Sequence, residues 1–257
     1  MDNQVYAVRY GTRSTRKSKV YLNHWLYGEA DEPVDMDYYF WVVRRGDRCV
    51  LVDTGFSRSG GDKRARTTLT EPADLLGRLD LAPGSVDTVV VSHAHYDHIG
   101  NLSVFPEAQI VIAEEEYAFW TSPMATRLQF ATSVEADELR YLEKLRGDDR
   151  LTMVRGDGEV APGVSFVQVG GHTPGQLVVN VETDAGTVVL ASDAVHYYEE
   201  VERDRPFHSV TDLAAMYRAF DRVAELAQAP RTSVVAGHDP LVRERFAAVA
   251  PDIVQIP

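Results

Sequence analysis

Apolar runs rich in valine, isoleucine and aromatic residues recur along this chain, each cut off by glycine, aspartate or histidine, and they predict its strands. Residues 5–10 and 20–27 mix aromatic and aliphatic side chains and read as strands. Residues 37–43 and 48–52 give two stronger strand patterns around Arg45-Gly46-Asp47, a hairpin turn. The next unbroken run is Val86-Asp87-Thr88-Val89-Val90-Val91, the pattern of a strand buried on both faces. Strands follow at 109–113, 164–169, 177–181, 187–191 and 232–236, with Asp184-Ala185-Gly186 as a turn.

Helical periodicity lies between and after these runs. Leu75, Leu76 and Leu79 make one apolar face of a helix, with Thr70 as N-cap and Pro72 in its first turn. Residues 114–120 open a helix on three glutamates, favourable at its N-terminus, and 133–145 carry Leu139, Leu142 and Leu145 in register. Between them, residues 120–124 read as an irregular apolar insertion. A long helix over 211–227 is expected to be capped by Thr211 and Asp212, and a last one covers 241–248. Residues 56–68, with glycines and the basic run Asp62-Lys63-Arg64-Ala65-Arg66, read as a mobile loop. The basic stretch from Thr12 to Lys19 reads as a solvated loop, with a grip on an anionic substrate as the alternative. Strands then helices, twice over, indicate an α+β class. They suit a single domain of two similar halves, about 1–147 and 148–257, better than a parallel barrel.

The run at 86–91 ends in Ser92-His93-Ala94-His95-Tyr96-Asp97-His98, placing three imidazoles and a carboxylate at a strand's carboxyl end. A chance surface cluster does not explain that position. Nitrogen and oxygen donors together suit zinc, with iron, manganese and cobalt as related choices. Four donors on one short loop converge poorly on a single ion, which argues for two adjacent metals. Three later strand tips add one donor each: His172 in Gly170-Gly171-His172-Thr173-Pro174-Gly175, Asp193 after Ala191-Ser192, and His238 after Ala236-Gly237.

Composition narrows the partners. The chain has 257 residues, and its net charge of −13 repels phosphate backbones, so nucleic acid is not an expected partner. No apolar run is long enough to span a bilayer, and residues 1–6 lack a signal-peptide pattern, so no membrane partner and a cytoplasmic location are expected. The single cysteine, Cys49, sits in an apolar strand run and reads as packing.

The motif His93-Ala94-His95-Tyr96-Asp97-His98, taken with His172, Asp193 and His238, resembles the metallo-β-lactamase superfamily of two-metal hydrolases. Within it, the chain is most similar to the N-acyl homoserine lactonase branch. The resemblance implies an αβ/βα sandwich of two mixed β-sheets flanked by helices. It implies that His93, His95 and His172 hold one metal, that Asp97, His98 and His238 hold the other, and that Asp193 bridges them. Asp53 would order the histidine loop without touching metal. The implied reaction is attack of a metal-bridging hydroxide on a carboxylic ester, a lactone before others. A thioester hydrolase of the glyoxalase II kind and an iron-dependent oxygenase are the rivals.

One departure stands out. Lactonases of this branch carry a tyrosine three residues after the bridging aspartate, and here that position is His196, followed by Tyr197 and Tyr198. Asp97, His196 and Tyr197 are therefore the candidate catalytic side chains. Tyr96, Trp25, Tyr27, Phe119, Trp120, Met124 and Phe207 are the candidates for the substrate pocket. The expected partner is a small ester or lactone, and a homodimer is the candidate assembly.

Overall fold

Residues 38–43 carry a large apolar side chain at every position, and a strand can bury such a run only if both of its faces are covered. The computed structural model, which describes residues 2–257, covers both. Tyr38, Phe40 and Val42 face a helix-side core with Leu51, Leu75, Leu76, Val89, Ile110, Leu142 and Leu145. Their alternates Tyr39, Trp41 and Val43 face a second sheet through Val179, Val181, Val188 and Leu190. The period of two thus sets a layered sandwich, with one core between the sheets and another under the helices.

The first elements are β1 (Gln4–Arg16), β2 (Pro33–Arg45), β3 (Arg48–Val52), α1 (Arg58–Lys63), β4 (Thr67–Thr68) and α2 (Pro72–Leu76). Next come β5 (Thr88–Val90), α3 (Tyr96–Ile99), β6 (Gln109–Ala113), α4 (Glu114–Trp120), α5 (Leu128–Ala131) and α6 (Ala136–Gly147). The remainder is β7 (Leu151–Val154), β8 (Gly158–Ala161), β9 (Val164–Gln168), β10 (Leu177–Glu182), β11 (Thr187–Ser192), α7 (Tyr198–Glu202), α8 (Leu213–Ala227), β12 (Thr232–Ala236), α9 (Leu241–Arg245), β13 (Ala247–Ala250) and β14 (Ile253–Ile256). Among the described residues one sheet runs β13-β14-β1-β2-β3-β5-β6-β7, with β4 paired to β1. The other runs β12-β11-β10-β9-β8. Both are mixed: β3, β5, β6 and β7 are parallel, as are β11 and β12, and the other neighbours pair antiparallel. The expected sandwich of two mixed sheets is what forms.

Several local expectations are corrected. Residues 12–16 are not a solvated loop but the second half of β1, paired in register with β2 from Thr12↔Asp37 to Arg16↔Pro33. Residues 20–27 are not a strand. Asn23 and Gly28 take left-handed backbone angles at either end of a short 3-10 turn, His24–Tyr27, and only Tyr21 bridges to Phe207. The loop at 56–68 contains α1 and β4. Thr70 does not cap α2; Glu71 occupies that position, and the apolar face continues in a 3-10 turn, Gly77–Leu79. Asp212 alone caps α8, accepting from the Ala215 amide at 2.8 Å. The last helix stops at Arg245, because residues 247–250 gain a pairing partner in β14. The boundary near 147 does not separate the sheets either, since β7, β13 and β14 all join the first one. Cys49 is buried and free.

Glu138 on α6 is the misfit of the helix layer. Its Oε1 accepts from Ser57 Oγ at 3.3 Å, while Oε2 is buried without a partner. Burial, and then the nearby charge of Glu135, pushes its carboxyl from 4.5 up to about 8. Folded chain therefore keeps a proton that unfolded chain loses, so stability falls as pH rises between about 4.5 and about 8. Glu138→Gln should raise the melting temperature at pH 8.5 and leave it nearly unchanged at ~pH 4.5. A shift of equal size at both pH values, followed by differential scanning calorimetry, would contradict this assignment.

Candidate metal centre

Strand ends deliver every donor. β5 releases the His93–His98 loop, the turn after β9 carries His172, β11 ends beside Asp193, and β12 ends just before His238. These residues form two groups whose ligand atoms lie within 4.8 Å of one another: His93, His95, His172 and Asp193, and then Asp97, His98 and His238. All seven are buried. Asp193 lies between the groups with one oxygen toward each. Its Oδ2 is 3.7 Å from His93 Nε2 and 3.3 Å from His172 Nε2. Its Oδ1 is 3.3 Å from His98 Nε2 and 3.0 Å from His238 Nε2.

The outer nitrogens of these rings are committed elsewhere. His172 Nδ1 donates to the Ser209 carbonyl at 2.8 Å, and His238 Nδ1 to the Asp37 carbonyl at 2.9 Å. His98 Nδ1 lies 2.7 Å from Asp53 Oδ2. Carbonyls and carboxylates accept, so the proton sits on Nδ1 and each Nε2 turns a bare lone pair inward. The inward atoms lack partners: His93, His98 and His238 Nε2 and Asp193 Oδ1 are buried and make no hydrogen bond. Unpaired acceptors facing one another are costly when buried, and bound cations would satisfy them. The residues fit a pair of divalent ions.

Asp53 organises the first loop. Its backbone is left-handed (φ 64°), and its carboxylate accepts from the Ser92 amide at 2.8 Å, Ser92 Oγ at 2.7 Å and Ser192 Oγ at 3.3 Å, besides bonding His98. Ser192, the residue before Asp193, is also left-handed (φ 46°). Two non-glycine residues in that region at adjoining strand ends store backbone strain beside the donors. Gly237 is required for a different reason. A Cβ there would come within 2.5 Å of the Ser192 carbonyl and 3.1 Å of Asp193 Oδ1.

The electrostatics follow from crowding. Burial, helped by the neighbouring His98, holds His93 well below the usual imidazole range, and burial lowers His172 likewise. Burial would raise the Asp193 carboxyl, but the surrounding histidines, His196 and His238 first, hold it well below the usual range.

Comparison with known proteins agrees with this arrangement. Residues 36–238 match the family model described as the metallo-beta-lactamase superfamily. The chain belongs to this superfamily. Its relatives include an N-acyl homoserine lactonase from Bacillus sp, 25% identical over 87% of this chain and 89% of that protein. N-acyl homoserine lactonase AiiB of Agrobacterium fabrum is 28% identical over 84% and 83%. Among solved structures, a quorum-quenching N-acyl homoserine lactone lactonase superposes with a TM-score of 0.80 at 22% identity, covering 99% of this chain and all of that one (100%). AidC, described as a dizinc quorum-quenching lactonase, gives a TM-score of 0.74 at 18% identity over 99% and 94%.

Beside the metallo-beta-lactamase donors opens a cavity of about 410 Å³, lined by His95, Asp97, His172 and Asp193. Tyr96 and Phe207, two of the candidates for the substrate pocket, line it. The other aromatic candidates do not. Trp25 is 76% exposed on its 3-10 turn, and Tyr27 lies near it. Trp120 is buried behind His95, ring centroids 5.2 Å apart. Phe119 and Met124 line a neighbouring surface cleft. His196 and Tyr197 also stay out of the cavity. His196 is fully buried behind Asp193, with Nε2 3.0 Å from Asp193 Oδ2, and Phe207 stacks on its ring at 3.8 Å. Tyr197 turns away and donates to the Asp35 carbonyl at 3.1 Å. Besides Tyr96, the cavity presents Tyr38, which lies in an aromatic strand run that looks like core from sequence.

Glu116 was equally hidden, as one of three glutamates opening α4. It is fully buried, and its Oε1 accepts from the Ala94 amide at 2.8 Å and from Trp120 Nε1 at 2.6 Å. Its Oε2 accepts from the Gly175 amide at 2.9 Å. One carboxylate thus ties the His93–His98 loop to the His172 turn. Burial raises its pKa against the pull of these donors. Glu116→Ala would strand three buried N–H groups, at roughly 1–3 kcal/mol each. Metal affinity should fall about tenfold to a hundredfold, as for other partners that orient ligand loops. Denaturant unfolding and competition with a zinc-sensitive chelator measure the two effects. Wild-type affinity in a destabilised variant would limit Glu116 to packing.

Proposed function

We propose that this chain is a two-metal hydrolase that opens lactones, with zinc as its metal. The observation that carries the reading is Asp193, whose two oxygens address the two donor groups separately. The lactonase relatives named above supply the reaction class. His93, His95 and His172 would hold one ion, and Asp97, His98 and His238 the other. Bound there, the ions would supply a water-derived nucleophile at neutral pH and an electrophile for the ester carbonyl.

The chain's own residues do the rest. Outward hydrogen bonds from His98, His172 and His238 fix the rings before any ion arrives, so little reorganisation is needed on loading. Phe207 and Met36 give the cavity an apolar wall that excludes water from the ester. Tyr38 and Tyr96 line the same cavity, and burial pushes both phenols upward, Tyr38 to about 12. Each keeps a proton to offer a substrate oxygen at neutral pH.

Elemental analysis of the purified protein should return about two zinc ions per chain. Asp193→Asn should weaken both sites together and abolish hydrolysis of N-hexanoyl homoserine lactone. Retention of two ions and full rate would show that Asp193 does not span the pair. Turnover of thioesters with no lactone opened, in a panel that also includes β-lactams, would move the protein to another hydrolase class.

A further inference from the structure

We infer that Arg13 and Arg66 form a carboxylate-binding subsite in the wall of the metal cavity, and that the substrate is a lactone bearing a carboxylate. This inference rests on the lactonase reading for the lactone, and on the arginines alone for the charge.

Both arginines line the cavity that reaches His95, Asp97 and Asp193. Arg13 stands on β1, in the half of that strand paired with Met36 of β2. Arg66 comes from the turn between α1 and β4. They converge on Tyr38: the Arg66 guanidinium lies 5.9 Å from the centre of that ring, and Tyr38 feels the charge of both arginines. Neither is ion-paired. Arg13 makes no hydrogen bond or salt bridge among the described residues, and its Nε is buried without a partner. Arg66 donates from Nε to the Tyr96 hydroxyl at 3.0 Å and from Nη1 to the Arg64 carbonyl at 2.7 Å; it bonds to no carboxylate, and Asp97 acts on its charge only from further off.

Carboxylates for such pairs are not scarce in the chain. It has 39 acidic residues against 26 lysines and arginines, so carboxylates are in excess. Arg64, a third arginine on the cavity wall, takes Glu135, and Arg205 takes Glu29. Among the described residues, the only carboxylates lining the cavity are Asp97 and Asp193, which belong to the metal groups. Half-buried guanidinium groups with no carboxylate bonded to them are stabilised by a ligand that supplies one. A planar fork of N–H donors matches a carboxylate, which it binds by two parallel hydrogen bonds. The cavity's aromatic and apolar residues, Tyr96, Phe130 and Phe207, suit the ring of such a substrate.

The test compares phthalide with carboxyphthalide on the zinc-loaded enzyme. The carboxylate should raise kcat/KM by about ten- to a hundredfold, the range of charge-assisted hydrogen bonds. Arg13→Met and Arg66→Met keep the apolar stem while removing the charge, and each should pull that ratio toward one, mainly through KM. Arg66→Lys should restore part of it. A ratio near one in the parent, or a ratio unmoved in both methionine variants, overturns the subsite. If neither lactone is opened, the lactonase reading fails and binding decides the rest. The cyclic ethers phthalane and carboxyphthalane have no carbonyl to attack, and their affinities can be measured by calorimetry. Tighter binding of carboxyphthalane that is lost in the methionine variants upholds the subsite; equal affinities refute it.

Discussion

The carboxylate of Asp53 is the point at which the two sheets and the donor loop are joined. It sits at the end of β3, fully buried, and gathers Ser92 and His98 from the loop after β5. It also takes Ser192 from β11 in the other sheet. A charge buried in this way is tolerable only with several good hydrogen bonds, and these bonds fix three chain segments at once. The left-handed backbone of Asp53 and Ser192 is held in place by this network. Asp193 follows Ser192 directly, so the position of the carboxylate between the two donor groups depends on an aspartate that belongs to neither group.

The sandwich was legible because its strands are nearly continuous apolar runs, and the edges at 109–113 and 232–236 agree with β6 and β12 to the residue. The donor residues were legible for a related reason. A histidine or aspartate placed directly after such a run is at a strand tip whatever the tertiary fold, and parallel strands bring their tips to one side. All seven donors named from sequence fall into the two groups that the structure assembles.

What escaped detection depends on contacts between segments distant in the chain. β13 and β14 are short and unremarkable in sequence, and they become strands because β14 pairs with β1 and β13 with β14. Glu116 looked like one more acid at a helix start, since nothing local marks the buried amides of Ala94 and Gly175 as its partners. His196 drew attention because it neighbours Asp193, yet the turn after β11 carries its ring behind the carboxylate against Phe207 and Glu200. Sequence proximity to a ligand fixes distance along the chain, not the side of the ligand on which a side chain lies.

Charge distribution shows the same limit. The net charge of −13 describes the outer surface, which discourages polyanions at long range. Inside the cavity positive groups act locally, with Arg13 and Arg66 on the wall bonded to no carboxylate and Asp97 and Asp193 belonging to the donor groups. Two divalent ions would add to that positive field. An overall acidic chain can therefore hold a cavity selective for a small anion, because screening removes the surface field within about 8–10 Å while groups in the walls act at contact. Basic residues that look like solvated loop in sequence belong to that wall once β1 extends to Arg16 and places Arg13 beside Tyr38.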